Sequence, residues 1–280
     1  MRLVSFRRDG TESWGIVEGD RIADVGAVRR RDWPTLRTAL AAPPAEIAAL
    51  RAQAPDVALA SVELRPPVPN PGKILCSGVN YRLHIEESHV AVPQSPVLFT
   101  RFADTLVGHA SPLLKPAVSD QLDWEGEMAA VIGRPGRNIP EGRALEHVAG
   151  YACFLDGSVR DFQAHSFTAG KNFFATGGFG PWLVTADEIP DPQALHLTTR
   201  VNGEAMQDSP TSAMIFSVAA LVAYVSTVTP LAPGDVIVTG TPGGVGVARN
   251  PPVFLRPGDT VEVEVTGIGT LRHPVLAETR

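Results

Sequence analysis

The chain opens with short apolar runs separated by turn dipeptides. Leu3-Val4-Ser5-Phe6, Ser13 to Val17 and Arg21 to Val25 are strand candidates, with Asp9-Gly10 and Gly19-Asp20 supplying the turns between them. The period then changes. Over Pro44 to Gln53, Ile47, Leu50 and several alanines fall on one side of a helix. The stretch Arg65-Pro66-Pro67-Val68-Pro69-Asn70-Pro71-Gly72 supports neither a ladder nor a helix, because its prolines remove donors and bias their neighbours to extended conformations. A domain boundary is predicted there, with a small N-terminal domain over residues 1–66 and one long domain over 67–280.

In the long segment, Lys73 to Val79 and Pro96 to Thr100 read as strands, with a helix near Arg82 to Ser88 between them. Glu127 to Ile132 and Tyr151 to Leu155 are further strands. Asn202-Gly203 predicts a type I′ hairpin turn after Leu197–Val201. Ala213 to Val225 is apolar nearly all round, as expected of a buried or subunit-interface helix. Two Pro-Gly-Asp turns, at Pro233 and Pro257, launch the strands Val236–Thr239 and Val261–Val265. The sum is mostly β with a few helices.

Composition narrows the function. With 44% apolar and 19% charged residues, 280 residues can bury a sizeable core. A net charge of −6 argues against nucleic acid or an anionic membrane as partner, and Arg29-Arg30-Arg31 reads as a solvated face. Cys76 and Cys153 are too few for a disulfide framework or a zinc site and are expected as buried thiols in a reducing compartment. Met1 to Gly10 has no apolar run of a signal peptide, and Ala213 to Val228 is too short to span a bilayer, so the expectation is cytoplasmic.

The chemistry concentrates in Asp123-Trp124-Glu125-Gly126-Glu127. On an extended strand, residues two apart project to one face, so Glu125 and Glu127 point together. Two converging carboxylates repel each other and are costly to bury without a cation; all-oxygen ligation favours Mg²⁺ or Mn²⁺ over zinc. Spacing alone fits a solvated edge as well. A third carboxylate shifts the balance, since Asp156 ends the apolar run Tyr151–Leu155 where a buried strand meets a loop. His84 and Glu87 are three apart on a predicted helix, where a carboxylate fixes the imidazole tautomer and raises its basicity; an ordinary surface pair has the same spacing. Lys171, in an apolar, Gly-rich context, needs an anionic partner, either a bound carboxylate or a structural Asp. Arg160 and Gln163 follow Asp156 closely enough to bond an acid substrate. The loop Thr239-Gly240-Thr241-Pro242-Gly243-Gly244-Val245-Gly246 can bring backbone N–H groups to a ligand but matches no nucleotide fingerprint. The remaining histidines form no ligand spacing.

These motifs, in order from Lys73 to about Val275, resemble the fumarylacetoacetate hydrolase family: Asn80-Tyr81 with His84, Asp123 to Glu127, Asp156 with Ser158 to Gln163, Gly170-Lys171, Pro233-Gly234-Asp235 and Gly240 to Gly246. Residues before about Pro66 resemble the small N-terminal domain of many members. The resemblance implies an α+β, mostly β fold, with a β-roll catalytic domain and a small N-terminal α/β appendage, and a homodimer. It implies Mg²⁺ or Mn²⁺ on Glu125, Glu127 and Asp156. His84 and Glu87 become a catalytic base pair on a lid that orders on substrate binding, with Lys171 catalytic. Tyr81, Arg160, Gln163 and Thr241 become substrate-binding positions. The expected reaction is hydrolysis of a C–C bond in a 2,4-dioxo acid, of the acylpyruvate or sugar-derived type, through a metal-stabilised pyruvate enolate, in aromatic or sugar acid catabolism. Oxaloacetate-type decarboxylation or keto–enol isomerisation is the alternative on the same scaffold, with a non-catalytic metabolite-binding protein after that. One departure stands out: Phe174 replaces an Asp frequent in relatives, and Gly177-Gly178 replaces their Gly-Pro, which is expected to alter the pocket wall.

Overall fold

The computed structural model describes residues 1–279. A mixed twelve-stranded sheet forms the body. Its main path runs Asp56–Ala58, Arg21–Ala23, Thr11–Glu18, Arg2–Arg8, Gly177–Thr185, Val148–Leu155, Gly126–Ile132, Val236–Val238, Ile74–Gly78 and Val97–Thr100. A five-stranded sheet, Glu204–Pro210, His196–Val201, Thr260–Val265, Gly269–Ala277 and Leu113–Lys115, makes a second layer. The mostly β architecture expected from the sequence is therefore found.

The central strand Gly126–Ile132 is buried at every position, which its near-continuous apolar sequence requires. Its alternation sorts the core. Met128, Ala130 and Ile132 join one cluster with Leu197, Val261, Val263 and Leu271 of the second sheet. Ala129 and Val131 join another with Leu3, Leu36, Leu40 and Ile47 from the N-terminal segment. That segment pairs directly with the rest, because Arg2 and Leu3 lie opposite Val184 and Leu183. The sheet thus continues across the proline-rich stretch.

Local chemistry accounts for the element ends. Arg21 to Val25 does not stay extended: the strand stops at Ala23 and a helix starts at Val25, because the Asp24 side chain accepts a bond from Ala27 N as its N-cap. The helix expected from Pro44 is short, Pro44–Ala49, and tightens into a 3₁₀ turn at Arg51–Gln53. Asn202 and Gly203, with φ of 52° and 84°, make the hairpin turn that their sequence specifies. The apolar helix begins later than its pattern suggests, at Val218, where Ser217 caps it through Ala220 N, and it runs to Val228.

Candidate functional site

The three carboxylates meet because of register. Gly126 lies opposite Leu155, and the ladder continues one step further as Asp156 N donates to Glu125 O at 2.8 Å. Asp156 is therefore the cross-strand neighbour of Glu125, and Glu127 projects from the same face two residues on. One oxygen of each of Glu125, Glu127 and Asp156 lies within 4.8 Å of the others. All three are buried, Asp156 completely. A solvated edge is thereby excluded.

Three cations surround them. Lys171 Nζ bridges Glu125 Oε2 at 2.5 Å and Asp156 Oδ2 at 2.6 Å. Arg160 bonds Glu125 Oε1 at 2.7 Å and Asp123 Oδ2 at 2.8 Å. Arg101 bonds Asp156 Oδ1 at 2.5 Å. Burial pushes Glu125 up, but Lys171, Arg160 and His84 outweigh it and hold its pKa at about 2. Burial alone would lower Lys171, yet Asp156 and Glu125 hold it above the ordinary lysine value. For Glu127 the help, from Lys171 and the Gly240 N–H, is outweighed. It accepts a bond from Gly240 N and contacts no cationic side chain among the described residues; burial, Asp156 and Glu125 drive its pKa well above the carboxylate range.

This arrangement fits a hard divalent ion. Four carboxylates (Asp123, Glu125, Glu127, Asp156) face three cations (Arg101, Arg160, Lys171), so full ionisation would leave one negative charge in excess, which the raised Glu127 sheds by holding a proton that a cation could replace. With Glu127 ionised, a 2+ ion makes the cluster net positive and favours an anionic acid, and oxygen-only donors suit Mg²⁺ or Mn²⁺.

Above the carboxylates sits the helix Arg82–Ser88. His84 Nδ1 meets Glu87 Oε1 at 2.8 Å, so Nε2 is left as the nitrogen free to exchange a proton. Glu87 Oε2 accepts from Gly244 N at 2.7 Å and latches the helix to the glycine-rich loop. Asn80 fixes the helix entrance. Its amide donates to Phe216 O and Thr239 O and accepts from Phe216 N. A cavity of about 200 Å³ remains, with His84, Glu125, Glu127, Arg160, Gln163, Lys171 and Thr241 in its lining and Val97, Phe99 and Phe167 on an apolar wall.

Not every expected residue is placed there. Tyr81 is buried in the core beneath, pairs with Met214 through an isolated bridge and does not line the cavity. Thr241 lines it, but its hydroxyl is engaged with Gly126 O and Gln207 Nε2. The glycine-rich loop spends its N–H groups on protein carboxylates instead of a ligand: Gly240 on Glu127, Gly244 on Glu87, Gly246 and Val247 on Asp123. Gly240 has φ of +93°, and a Cβ there would come within 2.7 Å of Asn80, so only glycine serves. Phe174 is 66% exposed and outside the lining, so it does not alter the cavity wall. Sequence reasoning overlooked Arg101, Asp123 as anchor of Arg160, and Gln207. Asp123 stood in the acidic motif; the other two carry no local signal.

Comparison with known proteins places the chain in a family. Residues 73–276 match the model of the fumarylacetoacetate (FAA) hydrolase C-terminal family. The chain belongs to the fumarylacetoacetate hydrolase family, a family of enzymes. It is 40% identical to the mitochondrial oxaloacetate tautomerase fahd2 of Xenopus laevis, over 99% of this chain and 90% of that protein. Among solved structures it is similar to 5-carboxymethyl-2-hydroxymuconate delta-isomerase from Mycobacterium smegmatis (33% identity, TM-score 0.82, 99% of this chain and 100% of that one). It is also similar to maleylpyruvate hydrolase from Sphingobium sp. SYK-6, solved with manganese(II) and pyruvate (31% identity, TM-score 0.84, 100% of both chains). Tautomerase, isomerase and hydrolase relatives thus span both the reaction expected from the sequence and its alternative. No described helix is long and apolar enough to cross a membrane.

Proposed function

We propose that this chain catalyses enol–keto interconversion of a small 2-oxo acid of the oxaloacetate class, with Glu125, Glu127 and Asp156 holding a divalent cation, Mg²⁺ or Mn²⁺. The observation that carries the reading is a cavity of only about 200 Å³ lined by His84, which Glu87 holds from behind, together with Glu125 and Glu127. That volume suits a short acid better than the larger ligands usual in pockets.

The bound ion would supply Lewis acidity toward the 2-oxo group. His84 Nε2 takes the proton from C3 of the keto form; the C–H electron pair becomes the C2–C3 double bond as the C2=O π pair moves onto oxygen, and that oxygen then takes a proton from solvent while His84 releases its own, giving the enol, with the reverse sequence restoring the ketone. Glu87 pairs with Nδ1, which leaves Nε2 as the proton acceptor. Lys171 offsets the negative charge that develops on oxygen. Arg160 Nη2 is buried and has no partner among the described residues, which leaves a donor for a substrate carboxylate. Gln163, bonded to Arg160 Nη1 through its Oε1, orients that guanidinium.

A second reading, C–C hydrolysis of a 2,4-dioxo acid, is favoured by the same base pair and by the apolar wall of Val97, Phe99 and Phe167, which suits an acyl group. Ultraviolet decay of oxaloacetate enol and pyruvate release from acylpyruvates, each with and without Mn²⁺, separate the two. Metal-dependent acceleration of the first is expected; pyruvate release without it would transfer the assignment to the hydrolase. A homodimer is proposed from the resemblance. A cytoplasmic, reducing location rests on the two buried free thiols, Cys76 and Cys153.

A further inference from the structure

Asp156 is gripped on both oxygens, and its two partners differ. Lys171 reaches Oδ2, the side shared with Glu125. Arg101 reaches Oδ1 and with the same nitrogen bonds Gly157 O at 3.0 Å. Its Nη2 donates to Thr176 Oγ1 at 3.2 Å. The slot is built for this guanidinium: a Cβ on Gly177 would lie 2.6 Å from Arg101 Nη2. Arg101 is 3% exposed, and its Nε has no partner among the described residues. A buried donor left unpaired is a cost, and the contact with Asp156 is what offsets it.

The backbone around Arg101 is fixed as well. Val97–Thr100 is the last strand on the main path of the large sheet, and Arg101 N still donates to Ile74 O. The Asn172 side chain takes the role of a further strand there, accepting from Phe102 N at 2.7 Å and donating to Thr100 O at 3.1 Å. Asn172 directly follows Lys171. One amide therefore ties the segment carrying Arg101 to the helix carrying Lys171, so the two cations that meet Asp156 share a common mounting.

We propose that Arg101 is a positioning residue of the metal centre: by holding Oδ1 it fixes the Asp156 carboxylate so that Oδ2 faces Glu125 and Glu127. The inference rests on the metal-centre reading above and predicts an effect opposite in sign to simple charge. Were Arg101 only a counter-charge, its removal would make the cluster more negative and tighten cation binding. A positioning role weakens binding instead, because an unheld carboxylate loses its orientation.

The test is Mn²⁺ titration of the metal-stripped full chain, read from the electron paramagnetic resonance signal of free Mn²⁺, for wild type, Arg101→Gln and Arg101→Lys. Mn²⁺ affinity should fall about 10- to 100-fold in Arg101→Gln and by less in Arg101→Lys. Equal or tighter binding by Arg101→Gln overturns the proposal. If Arg101→Gln does not fold, Thr176→Val, which removes the acceptor orienting Nη2 along with the hydroxyl's own bond to Phe173 O, should weaken Mn²⁺ binding measurably, and unchanged affinity would overturn the proposal. A wild-type chain that takes up no Mn²⁺ overturns the metal-centre reading and this inference with it.

Discussion

The floor and roof of the cavity are made in different ways. Glu127 lies on a strand bonded to neighbours on both sides, and Glu125 and Asp156 extend that pairing by one step beneath solvent. His84 and Glu87 ride on a seven-residue helix whose outer residue Leu83 is 59% exposed and which is latched by one Glu87–Gly244 bond. The floor is built into the ladder of the sheet, whereas the roof is a short helix held to the glycine-rich loop by a side-chain bond. Cation binding should therefore belong to the floor and proton transfer to the roof, and mutation should separate them.

The largest effect is expected from the floor. Asp156→Asn should cut metal-dependent turnover by about 1000-fold or more, because it removes a proposed ligand and leaves Arg101 and Lys171 without their shared anion. Retained turnover at saturating Mn²⁺ would break the division. Next comes the roof. His84→Asn should lower kcat by about 10²- to 10⁴-fold while Mn²⁺ affinity stays within about twofold of wild type; parallel loss of both in the same titrations would make His84 part of the floor.

A pH dependence should also divide them. Burial, Asp156 and Glu125 raise Glu127, so the metal-free folded chain holds a proton there over a wider range than the unfolded one. Its contribution to metal-free stability is present below the ordinary carboxylate value and is lost as pH rises through the raised one. A cation must displace that proton, so apparent Mn²⁺ affinity should climb with pH by up to about tenfold per unit while Glu127 titrates. Glu127→Gln should flatten the residual slope, and His84→Asn should leave it intact. The smallest effect is expected for Glu87→Gln, about tenfold in kcat, through a loosened imidazole and a weaker latch. A shift in Mn²⁺ affinity of the same size would contradict the separation.

The floor was largely legible in the sequence because two-residue spacing on a strand fixes a face, and Asp156 ended the neighbouring apolar run. The roof was legible as a pair, His84 and Glu87, through helical spacing. Arg101 and Gln207 were not legible. Arg101 follows an unremarkable apolar strand, and its partners lie 55 and 75 residues away; Gln207 acts on Gly126 across 81 residues. Such pairings depend on sheet order, which no local pattern encodes. The same reason hides the junction of the N-terminal strands with Gly177–Thr185, formed by Arg2 opposite Val184. The glycine-rich loop was recognised as a source of close N–H groups, but their recipients, Glu127, Glu87 and Asp123, appear only when the loop closes over them.

The division between floor and roof requires that the buried carboxylates share a cation. Equilibrium dialysis of the metal-stripped chain against Mn²⁺, beside a Glu125→Gln/Glu127→Gln double variant, tests this most directly. One ion per wild-type chain and none on the variant is the predicted result. Saturable binding that survives in the variant, or none in the wild type, would contradict it.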